Sequence, residues 1–152
     1  MKKTILKRLL ALTLAILCIT LVFVACQKPE KSENGFCTIV IEGEPATEYR
    51  VDLDKVTGNN GLLSVLEYLK AEEGLSYAEN SGFLTEVGSV KQDAAAGQYL
   101  YIWTSVEKDF DVSVYASTMT YGDLALTSAG IGAKDMTITD GATIYIGLYS
   151  WS

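Results

Sequence analysis

Residues 21–26 of the chain, LVFVAC, end a long apolar run in a small alanine and a cysteine. This ending has the form of a lipobox, in which Ala25 fits a peptidase pocket and the Cys26 thiolate is the nucleophile that accepts a diacylglyceryl group. Basic residues near the start, followed by an uncharged run over residues 9–25, make up an export signal. We therefore predict that residues 1–25 are a lipoprotein signal peptide and that Cys26 carries lipid.

An uncleaved membrane anchor is the alternative, because the apolar run is just long enough for a tilted span. The small residue before Cys26 favours the lipoprotein. Two acyl chains on one cysteine hold a protein stably, since each buried methylene contributes about 0.8 kcal/mol. In either case we expect the rest of the chain on the extracellular side of the cell membrane, and the sequence leaves the Gram type open.

The charges of the exported part argue against several functions. Residues 26–152 keep all nineteen carboxylates but only eight of the twelve Lys and Arg residues, so their net charge is −11. Nucleic acid is not expected as a partner, because phosphate binding needs clustered cations. Histidine is absent, which removes Ser-His-Asp and Cys-His machinery and the usual base near neutral pH. We predict a protein that is not an enzyme and has no catalytic residue.

Two pairs of aspartates have the spacing at which metal ligands often occur. Asp52 and Asp54 stand two residues apart, as do Asp109 and Asp111. Neither stretch supplies the further oxygen ligands and the central glycine of a calcium loop. No metal site is therefore predicted, and these side chains are expected to be solvated charges.

The third cysteine, Cys37, has no partner for a disulfide. Cys18 leaves with the signal peptide and Cys26 carries lipid. Cys37 alternates with Ile39 and Ile41, which predicts a small apolar side chain on the inward face of a strand.

The remaining pattern predicts one folded domain over residues 36–152, behind a polar tether over residues 26–35. Residues 36–42 and 49–54 have the alternation of two strands in a hairpin. Residues 62–73 have helical spacing and are followed by a glycine, which is a common residue just after a helix.

Two later stretches predict strands that are apolar on both faces. Residues 99–105 and 143–149 carry aliphatic side chains at one set of alternate positions and aromatic side chains at the other. Residues 106–136 predict a hairpin or a long loop. Because no helix alternates regularly with the strands, we predict an α+β domain, a β-grasp-like mixed sheet with one helix packed on its aliphatic face.

The segments GLLSVLEYLK, YLYIWTS and GIGAKDMTITDGATIYIGL together resemble the transcobalamin-like C-terminal domain family. This family includes a bacterial domain of unknown function, number 4430, that is common on Gram-positive surface lipoproteins. The resemblance covers roughly residues 37–149 and implies a β-grasp fold and a surface location, and some family members bind cobalamin. Here the segment between the central strands is long and lacks the Asn-Gly of the family's hairpin, so we assign no corrinoid contact to Trp103.

The aromatic positions of the two strands are the predicted site. Flat rings on a rigid sheet stack on sugars, peptides or a corrin edge with little loss of entropy. Gly147 is expected to leave a gap between the rings, and Tyr115 and Met119 of residues 106–136 are expected beside them. The candidate ligand-binding residues are Tyr99, Tyr101, Trp103, Tyr121, Tyr145 and Tyr149.

Residues 106–136 could instead fold back and bury this face as a second small core, which aromatic stripes on strands often form. The first hypothesis is therefore a non-enzymatic, lipid-anchored binding domain for a corrinoid, glycan or peptide, with no other cofactor. The second is a protein-interaction or spacer module of the cell surface without a small ligand. A hydrolase is a distant third, because no nucleophile has a visible base.

Overall fold

The computed structural model describes residues 32–150. The predicted signal peptide, Cys26 and most of the predicted tether lie outside the described residues. The strands are β1 (Phe36–Ile41), β2 (Thr47–Asp52), β3 (Tyr77–Asn80), β4 (Phe83–Val87), β5 (Val90–Lys91), β6 (Gln98–Thr104), β7 (Thr118–Tyr121), β8 (Leu124–Ser128) and β9 (Thr143–Ser150). The α-helix α1 (Gly61–Glu73) lies between β2 and β3.

The strands form two sheets. The larger has six strands in the order β2-β1-β9-β6-β8-β7, and the smaller has three in the order β3-β4-β5. The first and last strands, β1 and β9, pair in parallel in the interior of the larger sheet, and all other neighbouring strands of that sheet pair antiparallel. The predicted mixture of one helix and a mixed sheet is thus confirmed for the described chain, and the three-stranded sheet is an addition to that prediction.

One face of the six-stranded sheet carries the main core. The aliphatic side chains of β1 and β9 are buried against the helix and against the three-stranded sheet. Fully buried members include Ile39, Leu66, Val87, Ile144 and Ile146. Burial of each such side chain contributes about 1.5–3 kcal/mol. Cys37 belongs to the same cluster, as its alternation with Ile39 predicts.

Glycines with positive φ begin and end the helix. Gly61 begins it at φ +51°, and a Cβ there would lie 2.6 Å from the Met136 carbonyl oxygen and 2.8 Å from those of Ala133 and Lys134. The helix ends at Gly74, which is left-handed at φ 70° with no atom near its absent Cβ. The turn over residues 133–136 can therefore approach the helix only because residue 61 lacks a side chain.

Residues 32–35, which belong to the predicted tether, contact the domain before the predicted boundary at Phe36. The Asp54 carboxylate accepts hydrogen bonds from the backbone N–H groups of Glu33, at 2.6 Å, and of Asn34, at 3.0 Å. Both bonds lower the pKa of Asp54 below its ordinary value, and the bond from Glu33 has the larger effect. The compact unit that contains the sheets begins at Ser32.

We predict that Gly61→Ala destabilises a fragment of residues 32–152 by about 3 kcal/mol or more, because a strained φ and a clash with carbonyl oxygens act together. Gly74→Ala is the matched control, since it has the strain without the clash, and it should cost about 1 kcal/mol. Urea unfolding followed by circular dichroism measures both changes. Equal losses for the two variants would contradict the role assigned to Gly61.

Candidate functional site

The aromatic face is the side of the six-stranded sheet opposite the main core, and it carries Tyr99, Tyr101 and Trp103 of β6 and Tyr145 and Tyr149 of β9. The register pairs Tyr99 with Tyr149 and Trp103 with Tyr145, so these rings share one side of the sheet. Tyr101 stacks on Tyr149 with ring centroids 5.0 Å apart and planes 26° from parallel. Trp103 lies 5.1 Å from Tyr101 and 6.0 Å, edge-on, from Tyr145.

The hairpin of β7 and β8 covers part of this face. The Tyr121 hydroxyl on β7 donates a hydrogen bond of 3.0 Å to Glu48 Oε2 on β2, and the Tyr121 ring lies 5.7 Å from that of Tyr145. Strands β7 and β2 are opposite edges of the sheet, which would be about 24 Å apart if six strands at about 4.8 Å spacing lay flat. The sheet is therefore strongly curved, and the hairpin crosses back over the aromatic side.

Trp103 lies beneath this hairpin. Its side chain is 6% exposed, and its indole N–H donates to Ser117 Oγ at 2.9 Å. Val40 and Leu126 are fully buried on the same side of the sheet. The structure thus contains the second small core that was the alternative expectation, and in it Trp103 packs under the hairpin with little surface left accessible to a ligand.

The accessible part of the aromatic face lies at its other end. Tyr99 is 40% exposed, and Tyr101 and Tyr149 are half-buried. Tyr145 and Tyr121 are also half-buried and lie between this open end and the hairpin. The structure therefore brings Tyr101, Tyr121, Tyr145 and Tyr149 into one cluster around Trp103, with Tyr99 at its open end.

The gap expected at Gly147 is filled. A Cβ on Gly147 would lie 2.9 Å from the Tyr145 ring and 3.1 Å from the Glu42 carboxylate. The Glu42 Oε2 atom accepts the N–H of Leu148 at 2.8 Å. The sequence reasoning missed Glu42 and Glu48 as members of this face, although the alternation of Glu42 with Val40 along FCTIVIE indicated its side.

Carboxylates make this face electronegative. Burial and then the nearby Glu42 raise the pKa of Tyr145 above its ordinary value. Burial also raises the pKa of Tyr101, with a further contribution from Asp111. At Tyr121 the hydrogen bond to Glu48 is the main cause of a raised pKa. Tyr101, Tyr121 and Tyr145 are therefore neutral hydrogen-bond donors at physiological pH, beside charges that favour neutral or cationic ligands over anionic ones.

The aspartates of the two sequence pairs bond within the fold, and Asp109 is buried, which corrects the expectation that it is a solvated charge. The buried Asp109 carboxylate accepts hydrogen bonds from the backbone N–H and the hydroxyl of Thr137, at 2.6 and 3.0 Å. Asp111 Oδ1 accepts the N–H of Ser113 at 2.8 Å. Within residues 32–150, no group of three or more Cys, Asp or Glu side chains is placed to hold a metal ion.

A cleft of about 480 Å³ lies between the start of the helix and residues 136–140. Two of its polar side chains are used within the fold, because Asp140 Oδ1 accepts the N–H of Phe36 and Ser64 Oγ accepts the N–H of Asn60. The aromatic face, whose ring surface is partly open, is therefore the stronger candidate for ligand binding.

No protein-family model matches the chain, and no curated protein matches it. Among solved structures, the chain is similar to one from Ruminococcus gnavus that is described as a "putative metal binding protein", at 16% identity and a TM-score of 0.49, over 78% of this chain and 99% of that one. We draw no conclusion about this chain from so distant a likeness. In the part of the chain that the structure describes, no helix is long and apolar enough to span a bilayer.

The hydrogen bond between Tyr121 and Glu48 should make stability depend on pH. The bond raises the folded-state pKa of Tyr121 above the unfolded value near 10. Its contribution to the free energy of unfolding is therefore complete below about pH 10 and is lost as the pH rises through the folded-state pKa. We expect Tyr121→Phe to be less stable than the wild type from neutral pH to about pH 10, and the difference to shrink above it. Urea midpoints of both proteins at increasing pH measure this.

Glu48→Gln is the control for this prediction, since it keeps an oxygen acceptor but removes the charge that opposes ionisation. Its tyrosine titration, followed by tyrosinate absorbance, should move towards the ordinary pKa. If the stability difference between the wild type and Tyr121→Phe stays constant to high pH, the bond does not affect the titration of Tyr121.

Burial raises the pKa of Cys37 to about 11, so its thiol should be inert. Cys37 is the only cysteine in residues 32–152. At about pH 8 roughly one thiol in a thousand would be ionised even without steric protection. We expect a thiol-reactive disulfide dye to label the native fragment at least about 100-fold more slowly than the urea-unfolded one, and fast labelling of the native fragment would revive a redox role.

Proposed function

We propose that this protein is a lipid-anchored surface lipoprotein of bacteria whose single extracellular domain binds a ligand without transforming it. The signal peptide and lipidation of Cys26 are inferred from the lipobox alone. The observation that supports a binding role for the domain is the ring cluster at the open end of the aromatic face. Tyr101 stacked on Tyr149, with the exposed Tyr99 beside them, forms a rigid aromatic surface on the middle strands of the sheet.

We further propose that the domain is β-grasp-like. The parallel pairing of the first and last strands at the sheet centre, the antiparallel β1 and β2, and a helix that follows them support this assignment. The three-stranded sheet and the β7 and β8 hairpin would then be additions to the common core.

The chemistry of the face narrows the class of ligand. Ring surfaces of Tyr99, Tyr101 and Tyr149 suit a flat or apolar group, and tyrosine hydroxyls supply hydrogen bonds at the edges. The adjacent carboxylates of Glu42 and Asp111 disfavour an anionic polymer. A neutral corrinoid, a neutral glycan and a peptide all remain compatible, and the family resemblance makes the corrinoid the first ligand to test.

A second candidate function is a protein-interaction or spacer module with no small ligand. The burial of Trp103, Val40 and Leu126 under the hairpin favours it, because a large part of the aromatic stripe then serves the fold. The two candidates differ in whether the open end, with Tyr99, binds a small molecule.

We expect cyanocobalamin to give saturable heat in calorimetry with residues 32–152, with a Kd in the micromolar range or tighter. Tyr99→Ala should weaken this binding by about tenfold while leaving the unfolding midpoint nearly unchanged, because a stacked ring contributes about 1–1.5 kcal/mol and Tyr99 is largely outside the core. Phe83→Ala is the matched control, since that ring is 72% exposed on the three-stranded sheet.

Trp103→Ala should instead lower stability by about 3–5 kcal/mol, since it empties the core under the hairpin. Absence of heat with cyanocobalamin, followed by absence of binding to neutral glycans and peptides, would exclude the first candidate and leave the spacer or interaction module. If Tyr99→Ala and Phe83→Ala weaken cyanocobalamin binding equally, binding does not occur on the aromatic face.

A further inference from the structure

Glu42 projects onto the aromatic face although it lies just beyond the last residue of β1. Its N–H donates to the Ile146 carbonyl at 2.9 Å, which continues the pairing of β1 with β9. Side chains alternate along a strand, so that of Glu42 lies on the same side of the sheet as that of Val40. One carboxylate oxygen, Oε2, accepts the N–H of Leu148 at 2.8 Å, and this bond holds the carboxylate against β9.

Tyrosine side chains flank this carboxylate on three sides. It lies over Gly147, where a Cβ would be 3.1 Å from it. Gly147 stands between Tyr145 and Tyr149 along β9 and pairs with Tyr101 of β6. The Glu42 side chain is half-buried, so the carboxylate lies among rings and still meets solvent.

A second carboxylate lies beside the first, and neither has a cationic partner. Glu48 pairs with Val40 in the register of β1 and β2, which places it on the same side of the sheet as Glu42 and about 7–8 Å away. Within residues 32–150, neither carboxylate forms an ion pair with a lysine or an arginine. Partial withdrawal of the Glu42 charge from water is unfavourable unless a cation compensates it. A cation from outside the chain therefore gains more here than at a fully exposed carboxylate.

Rings and a carboxylate together suit an organic cation. The negative face of a tyrosine ring attracts a cation within about 6 Å of its centre, and the carboxylate adds a full charge. Carbon groups attached to the cation also pack against the rings. This combination distinguishes an organic cation from a hydrated metal ion, which has no apolar surface to bury.

The bonding of Glu42 selects among organic cations. A guanidinium group binds a carboxylate best through both oxygens, and Glu42 Oε2 is already bonded to the backbone. An ammonium group acts as a point charge and needs only the other oxygen. The site therefore suits an ammonium group better than a guanidinium group.

We propose that the aromatic face binds its ligand through an alkylammonium group, which lies at the Glu42 carboxylate among the surrounding tyrosine rings. This inference rests on the proposed binding role of the aromatic face, and it names the chemical group by which a ligand is recognised there. The lysine side chain of a peptide and a small quaternary amine both carry such a group. They differ in whether the nitrogen donates hydrogen bonds.

The test uses the full chain, labelled with ¹⁵N, in dodecyl maltoside micelles, with two matched pairs of probes. Choline is compared with 3,3-dimethylbutanol, in which a carbon atom replaces the charged nitrogen. The peptide acetyl-Gly-Lys-Gly-amide is compared with the same peptide acetylated at the lysine Nζ atom. We expect a cationic probe to shift the amide resonances of Gly147 and Leu148 saturably, and its neutral counterpart to bind at least about tenfold more weakly.

The two cationic probes distinguish the sources of the group. Binding of choline identifies a quaternary amine as a sufficient ligand, and binding of the lysine peptide alone identifies a primary ammonium group that donates hydrogen bonds. Either result supports the proposal. If the neutral probes bind as tightly as the charged ones, or if no probe at about 50 mM shifts either resonance, the proposal is wrong.

Two variants of equal charge locate the site. Glu42→Gln removes the charge and keeps an oxygen that accepts the Leu148 N–H, and it should weaken binding of the cationic probe at least about tenfold. Glu72→Gln removes the same charge from an exposed side chain of the helix, on the other side of the sheet, and it should change the Kd by less than about twofold. Equal weakening by both variants would overturn the site at Glu42.

Cyanocobalamin titrated into the same sample separates this inference from the proposed function. Binding of cyanocobalamin without binding of a cationic probe would overturn the ammonium site and leave the binding role of the aromatic face intact. Absence of binding by every probe and by cyanocobalamin, neutral glycans and peptides would overturn both.

Discussion

The structure depends on a sheet whose central strands are apolar on both faces. Strands β9 and β6 carry aliphatic side chains on one side and mainly aromatic side chains on the other, and the neighbouring β1 adds Val40 to the aromatic side. Such a sheet is stable in water only if both sides are covered. Burial of apolar surface stabilises the fold by about 25 cal/mol per Å², and an exposed face lacks this stabilisation. The helix and the three-stranded sheet cover the aliphatic side, and the β7 and β8 hairpin covers the aromatic side.

The candidate site lies where this covering ends. The hairpin reaches over Trp103 and Tyr145 but leaves Tyr99 exposed, so one aromatic stripe is core at one end and surface at the other. The curvature of the sheet, which brings Tyr121 of one edge strand to Glu48 of the other, thus decides which rings are covered.

Much of the local structure was predictable because its causes are local. The alternation of Cys37 with Ile39, the helical spacing before Gly74 and the two-faced pattern of β6 and β9 all describe contacts that the structure contains. The sequence left two possibilities for Trp103, an open face or a face covered by residues 106–136, and it could not decide between them because the choice depends on the path of a hairpin distant in the chain from β9. Glu48 was likewise missed, since its partner Tyr121 is distant in the chain and adjacent only in the curved sheet.

The sequence by itself determined that the domain is acidic, lacks histidine, contains one helix among many strands and places aromatic side chains together on one side of two of them. These properties follow from residue types and from periods of two and 3.6 residues, which every short segment carries within itself. Only the tertiary structure decided which rings are buried, that the Glu42 carboxylate fills the space at Gly147, and that Tyr121 bonds to Glu48 across the sheet. Those outcomes depend on contacts between segments far apart in the chain, and no local pattern encodes the curvature that produces them.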